Sequence, residues 1–162
     1  MTLEQFGQRY DCQKPYFEYW FGAPVQKSTP AWIHSLVQKI IMRLLDDAGY
    51  ESAAEVKLKI STEFQPLPDV STVFPGQIEG PYPTKPVEVV VEILSPDDKS
   101  AEIASKCGFY GGLGIQHIYL VDPQIREVFR WESSVLRATD QLTSFPVATI
   151  WSELDRRLIQ RY

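Results

Sequence analysis

Two hydrophobic periods divide the chain. From Ala31 to Ala48 the apolar residues fall in two adjacent rows, Trp32-Leu36-Ile40-Leu44 and Ile33-Val37-Ile41-Leu45. This is a wide stripe at helical spacing and predicts a buried helix face. Thr29-Pro30 opens that helix and Gly49 closes it. Ahead of it, residues 2–9 read as a short helix with Thr2 as cap. Tyr16 to Phe21 and Val25 to Ser28, separated by Gly22, read as a hairpin. After it, Val56 to Thr62 alternates Val, Leu and Ile with Lys57, Lys59 and Ser61, the pattern of a half-exposed strand. Pro66-Leu67-Pro68 breaks that pattern, and Asp69 to Phe74 resumes as a strand. Residues 75–86 carry Pro75, Pro81, Pro83, Pro86, Gly76 and Gly80 and read as a loop.

Val87 to Leu94, Val-Glu-Val-Val-Val-Glu-Ile-Leu, is β-branched and apolar enough for a central strand covered on both faces. Its two carboxylates, Glu88 and Glu92, project from one face because a strand has a period of two. Glu88, at the start, reaches solvent; Glu92 lies at the C-terminal end. Ser95-Pro96-Asp97-Asp98 then reads as a helix start, with Ser95 as N-cap and Pro96 as first helical residue. The helix runs to Tyr110 and ends at Gly111-Gly112-Leu113-Gly114. Ile115 to Val121 is a further strand closed by Asp122-Pro123. Arg126 to Trp131 and Val135 to Thr139 form a hairpin, and Ala148 to Arg161 a last helix. The strand–helix–strand unit over 87–121 requires a parallel pair with a right-handed crossover. Its neighbours are antiparallel. The expected fold class is therefore α/β (α+β): a central mixed sheet flanked by helices, with an N-terminal β-hairpin.

Composition narrows the setting. A chain of 162 residues with 44% hydrophobic and 12% aromatic content is enough for one folded domain, 1–162. The net charge of −5 argues against holding nucleic acid by bulk charge and leaves a local basic face as the alternative. Cys12 and Cys107 make neither a metal spacing nor a disulfide framework, and read as reduced cytoplasmic thiols. Nothing at the N-terminus reads as a signal peptide, and no stretch of about 20 apolar residues would span a membrane.

The candidate chemistry lies where three elements converge. Asp69 opens one strand and Glu92 closes another. Lys106, three residues after Ile103 and four before Tyr110, shares the inward side of the next helix. Two carboxylates suit Mg²⁺ or Mn²⁺ better than zinc. Together with a lysine they are the parts needed to cut a phosphodiester. Each residue also has a structural reading. Asp69 suits a turn, Glu92 an ion pair with Lys59 or Lys106, and Lys106 a solvent-reaching lysine. Glu18 is a strand-face charge and His34 a packing histidine at the flank of its helix stripe; both are further site candidates. Trp32 and Trp151 read as core or interface aromatics. Arg156, Arg157 and Arg161 read as a solvated helix face, with a phosphate-contacting edge as the alternative.

Pro68-Asp69, Val91-Glu92-Ile93-Leu94-Ser95-Pro96, Lys106-x-x-x-Tyr110-x-x-x-Gly114-Ile115 and Ile118-Tyr119-Leu120-Val121-Asp122-Pro123 occur in that order. With Tyr16 to Gly22 and Pro30 to His34, the set resembles the Uma-type restriction endonucleases of the PD-(D/E)XK nuclease superfamily, over roughly residues 2–131. The resemblance implies a restriction-endonuclease-like core and Mg²⁺- or Mn²⁺-dependent hydrolysis of DNA. It implies Asp69, Glu92 and the backbone carbonyl of Ile93 as metal ligands. Leu94 stands where the triplet lysine belongs, so the lysine would come from the following helix. Lys106 is the first choice and Lys99 the second. A helix starting at Pro96 carries Lys106 about 15 Å along its axis, within reach of Glu92 only if the helix runs back over the sheet. The alternative is a catalytically inactive relative that binds nucleic acid or protein. A homodimer is expected in either case, on the aromatics at 16–21 if exposed.

Overall fold

The computed structural model describes residues 1–159. Arg161, one of the three arginines read as a solvated face, lies outside them. Thr2 caps α1 (Leu3–Tyr10) through a reciprocal bond pair with Gln5. The hairpin follows as β1 (Phe17–Trp20) and β2 (Ala23–Gln26), then α2 (Trp32–Asp47) and the short strands β3 (Glu51–Ala53) and β4 (Phe64–Gln65). Next come β5 (Val70–Val73), β6 (Val89–Ile93), α3 (Ser100–Gly112) and β7 (His117–Asp122). The chain continues through β8 (Glu127–Glu132), β9 (Val135–Ala138), β10 (Gln141–Leu142), β11 (Phe145–Pro146) and α4 (Val147–Ile159).

The central sheet has six strands in the order β3-β5-β6-β7-β8-β9. Only β6 and β7 run parallel, joined by α3 as the crossover; the other pairs are antiparallel. The sheet is therefore mixed, as the strand–helix–strand unit requires. Strand β6 is buried along its whole length, and its alternation separates two cores. Val89, Val91 and Ile93 pack with Val37, Ile40, Ile41 and Leu45 of α2 and with Ile150 and Leu154 of α4. Val90 faces the other way, onto Ile103, Cys107 and Tyr110 of α3. Burying each large apolar side chain contributes about 1.5–3 kcal/mol. Glu92 shares the parity of Val90 and so faces α3, while Glu88 is half-exposed at the strand's start.

A second sheet, β2-β1-β4, leans on α3 through Trp20, Phe64 and Phe109. The ring centroids of Phe64 and Tyr110 are 5.7 Å apart. This contact carries the hairpin, and Glu18 with it, to the face of the central sheet that Glu92 occupies. The aromatics at 16–21 are mostly spent inside the fold. Tyr19 packs on Phe6, Phe17 on Tyr10 and Trp20 on Phe64, leaving Phe21 exposed. They no longer supply the apolar patch on which pairing of two copies was expected.

Three expectations are corrected. Residues 56–62 form no strand, although Leu58 is fully buried. The facing segment is Pro66-Leu67-Pro68, and the two prolines accept from Leu58 and Glu55 but have no N–H to return. A ladder cannot form, and β3 pairs with β5 instead. Trp32 is 68% exposed, because it is the first residue of α2, ahead of the turns that meet the sheet. Helix α3 starts at Ser100, not Pro96. Ser95 to Asp98 is a turn in which the Asp98 carboxylate accepts from the Ser95 N–H at 2.8 Å, and Lys99 is the N-cap. This shortens the run from helix start to Lys106 to about 9 Å. Among the described residues no helix is long and apolar enough to cross a membrane.

Candidate active site

The register of β5 against β6 creates the site. Val70 pairs with Val91, so the residue before β5 meets the residue after Val91. Asp69 thereby sits beside Glu92 at the C-terminal end of β6, and its Oδ2 accepts from the Ile93 N–H at 2.7 Å. The Asp69 carbonyl accepts from Gln38 of α2 at 2.7 Å. Both carboxylates are buried, at 4% and 3% exposure.

Helix α3 brings the first lysine. Ile103, Lys106, Cys107 and Tyr110 form its buried face. Lys106 Nζ lies 2.7 Å from Glu92 Oε1 and 2.7 Å from Glu18 Oε2. The Tyr110 hydroxyl donates to the same Glu92 oxygen at 2.5 Å. Glu18 also accepts from the Leu67 N–H at 2.6 Å, tying β1 to the turn that precedes Asp69. Lys59, the other partner considered for Glu92, instead places its ammonium over the Tyr82 ring. Lys99 is exposed at the helix start and does not line the cleft.

The hairpin brings a second lysine that sequence reasoning missed. Lys27 follows β2, and its N–H continues the ladder to the Tyr16 carbonyl at 2.9 Å. It shares the parity of Val25, which pairs with Glu18. Its Nζ lies 3.0 Å from Asp69 Oδ1 and 2.5 Å from the Leu67 carbonyl. His34, in the first turn of α2, places Nε2 3.4 Å from Asp69 Oδ2, while its buried Nδ1 has no hydrogen-bond partner. The structure thus brings together Asp69, Glu92, Lys106, Glu18 and His34 and leaves out Lys99. The alternation of Val25 and Lys27 was the signal for Lys27. It was masked because the strand is short and runs straight into Ser28-Thr29-Pro30.

Charge explains the electrostatics. Three buried carboxylates, Glu18, Asp69 and Glu92, face two buried ammoniums, Lys27 and Lys106. Burial pushes Asp69 up, but the Lys27 ammonium and the His34 bond outweigh it and hold the carboxyl well below the usual range. Burial also pushes Glu92 up. Lys106 offsets only part, Asp69 adds to the rise, and the group reaches about 7. For Lys106, burial lowers the pKa, but Glu18 and Glu92 more than reverse this, so the ammonium is held above its ordinary value. Burial likewise lowers His34, and its bond to Asp69 reverses the effect. Burial and then the Glu92 charge hold the Tyr110 hydroxyl well above its ordinary pKa, so it remains a donor. Tyr110→Phe should cost about 2 kcal/mol, since a buried carboxyl oxygen loses a donor. Chemical denaturation of the two proteins checks this.

The cleft bounded by these groups holds about 40 Å³, room for an ion or a water. None of residues 75–86 lines it. Among the described residues no three His, Cys, Asp or Glu side chains form a ready-made ligand set. Mg²⁺ and Mn²⁺ need less, since one or two carboxylates suffice when water and a phosphate complete the shell. Lys106 and Tyr110 both address Glu92 Oε1, which leaves Oε2 for another partner. The hard carboxylate oxygens of Asp69 and Glu92 fit such a cation.

Comparison with known proteins places the fold. A crystal structure described as "a putative nuclease belonging to DUF820 from Anabaena variabilis ATCC 29413" superposes with a TM-score of 0.80 at 20% identity, covering 95% of this chain and 99% of that one. A DrdV–DNA complex aligns at a TM-score of 0.47 and 14% identity, over 73% of this chain and 10% of that one. No curated protein sequence matches. The family profile described as "Uma2: Putative restriction endonuclease" matches residues 3–154, and the chain belongs to that family.

Proposed function

We propose that the chain is a Mg²⁺- or Mn²⁺-dependent endonuclease that hydrolyses DNA phosphodiester bonds. One observation carries this reading: Asp69, Glu92 and Lys106 meet in one buried cleft, although they come from a strand entry, a strand exit and a helix. Asp69 and Glu92 would hold the cation, with the Ile93 carbonyl as a further oxygen. A bound divalent cation supplies Lewis acidity toward the phosphate and the attacking water. The protein's own groups do the rest. Glu18 and Glu92 hold Lys106 as an ammonium, which has no lone pair for a proton. Lys106 therefore orients the water and steadies developing phosphate charge rather than acting as a base. Tyr110 fixes Glu92 Oε1, and the Ile93 N–H fixes Asp69 Oδ2, so neither carboxylate must reorganise. His34 and Ser95 line both the cleft and an adjoining groove of about 500 Å³ between the starts of α2 and α3.

One observation favours the second reading, an inactive relative that binds nucleic acid or protein. Both Asp69 oxygens already have protein donors. A cleavage assay on supercoiled and single-stranded DNA with Mg²⁺ or Mn²⁺ separates the two. Wild type should cut only with metal, Asp69→Ala, Glu92→Ala and Lys106→Ala should not cut, and Lys99→Ala should cut normally. No cutting on either substrate, with no gain in melting temperature on adding metal, would favour the binder.

A further inference from the structure

Lys27 has no task in the mechanism above, yet it is among the most tightly held groups in the cleft. Its Nζ has three oxygens around it: Asp69 Oδ1 at 3.0 Å, the Leu67 carbonyl at 2.5 Å and Glu55 Oε1 at 3.7 Å. Two carboxylates and a carbonyl are the donors a hard divalent cation takes. The residues that carry them are tied into the fold by other bonds. Glu18 holds the Leu67 N–H, and the Ile93 N–H holds the far oxygen of Asp69. Glu55 sits at a φ of 54° with its N–H on the Pro68 carbonyl. That conformation is uncommon for a side chain larger than glycine and tends to accompany functional sites. The Lys27 side chain itself is only 10% exposed.

We propose that Lys27 is a displaceable stand-in for the divalent cation, so that ammonium and metal compete for Asp69. The inference rests on the metal-dependent reading of this site. Without metal, Lys27 neutralises Asp69. A divalent ion needs the same oxygen, and two cations cannot share it at contact distance without strong repulsion. Lys27 must then leave. The residues on either side of it, Gln26 and Ser28, also line the cleft, so the released ammonium stays at the site where a phosphate would arrive. Metal affinity is accordingly set by two carboxylates minus a built-in competitor, and metal entry changes the charge presented to DNA.

The test is Mn²⁺ binding to the DNA-free protein, read as loss of the free-ion signal in electron paramagnetic resonance. Wild type, Lys27→Met, Lys27→Gln and Asp69→Asn are compared at one pH and ionic strength, each confirmed folded by circular dichroism. Both Lys27 variants should bind roughly tenfold more tightly or better, and Asp69→Asn roughly tenfold more weakly. A second readout needs no variant. Acylation followed by mass spectrometry should find Lys27 more reactive when Mg²⁺ is added, with Lys106 unchanged. Lys27 variants that bind no more tightly, while Asp69→Asn weakens, would overturn the role of Lys27 and leave the metal site standing. An unchanged Lys27 reactivity at saturating Mg²⁺ would overturn it equally. No binding by wild type or by the Lys27 variants would remove the metal site, and the inference with it.

Discussion

Replacing Lys106 with Met is expected to destabilise the protein by about 3–5 kcal/mol, the effect of removing one partner from a buried ion pair. The size follows from geometry. Lys106 lies 2.7 Å from each of two carboxylates, and all three side chains are at least 96% buried. Without the ammonium, the Glu18 and Glu92 carboxyl groups lose their shared partner in a dry site. A triple variant, Lys106→Met with Glu18→Gln and Glu92→Gln, removes every charge of the triad. It should recover much of the loss, because Gln can still accept from Tyr110 and from the Leu67 N–H. Urea denaturation analysed by linear extrapolation measures both steps. A single-variant loss below about 1 kcal/mol, the range of an exposed ion pair, would show that water reaches Lys106. Catalysis should stay absent in the triple variant even as stability returns, which separates the two roles of the lysine.

Asp69→Asn should also be severe, and it should change the shape of stability against pH. Lys27 would lose its nearest carboxylate while still buried, a loss of about 3–5 kcal/mol at neutral pH by the same argument. In the native protein the Asp69 carboxyl stays ionised well below its ordinary value of 3.8. The unfolded chain takes up a proton near that value and the folded one does not. The stabilisation from Asp69 is therefore complete above about pH 4 and is lost as the pH falls further. Glu92 acts in the opposite sense. The folded protein keeps a proton up to about 7 that the unfolded chain releases near 4.5. Its contribution is complete below 4.5 and lost as the pH rises through 7. Wild type should thus be weakened at both ends, by Asp69 in acid and by Glu92 toward neutrality. Asp69→Asn should flatten the acid limb and Glu92→Gln the other, both read from denaturation series across pH. An acid limb unchanged in Asp69→Asn would assign it to carboxylates elsewhere.

Periodicity reveals most of this fold and part of its site. The rows of α2, the β-branched run of β6 and the glycines at the end of α3 each carry their element in local pattern, so helices, strands and the parallel crossover follow from them. Asp69 and Glu92 could be brought together because strand ends are legible. What pairs with what was less so. The failure of residues 56–62 to form a strand depends on two prolines across the gap. The true start of α3 depends on Asp98 folding back onto the Ser95 N–H, in a run that also suits a helix cap. Lys27 enters from the end of a four-residue edge strand, too short for its alternation with Val25 to stand out, and Glu55 from a left-handed backbone position that no spacing encodes. The spacing of Lys106 from Ile103 and Tyr110 placed it on the inward side of α3, and the later start of that helix shortens its reach to Glu92.

Whether Asp69 and Glu92 share a divalent cation decides between a nuclease centre and a merely structural ion cluster. Crystals grown with Mn²⁺, with diffraction recorded at the manganese absorption edge, answer this directly. The expected result is one anomalous peak within coordination distance of both carboxylates, with Lys27 Nζ moved off Asp69. No peak in the cleft at saturating Mn²⁺, with Lys27 still on Asp69, would contradict it.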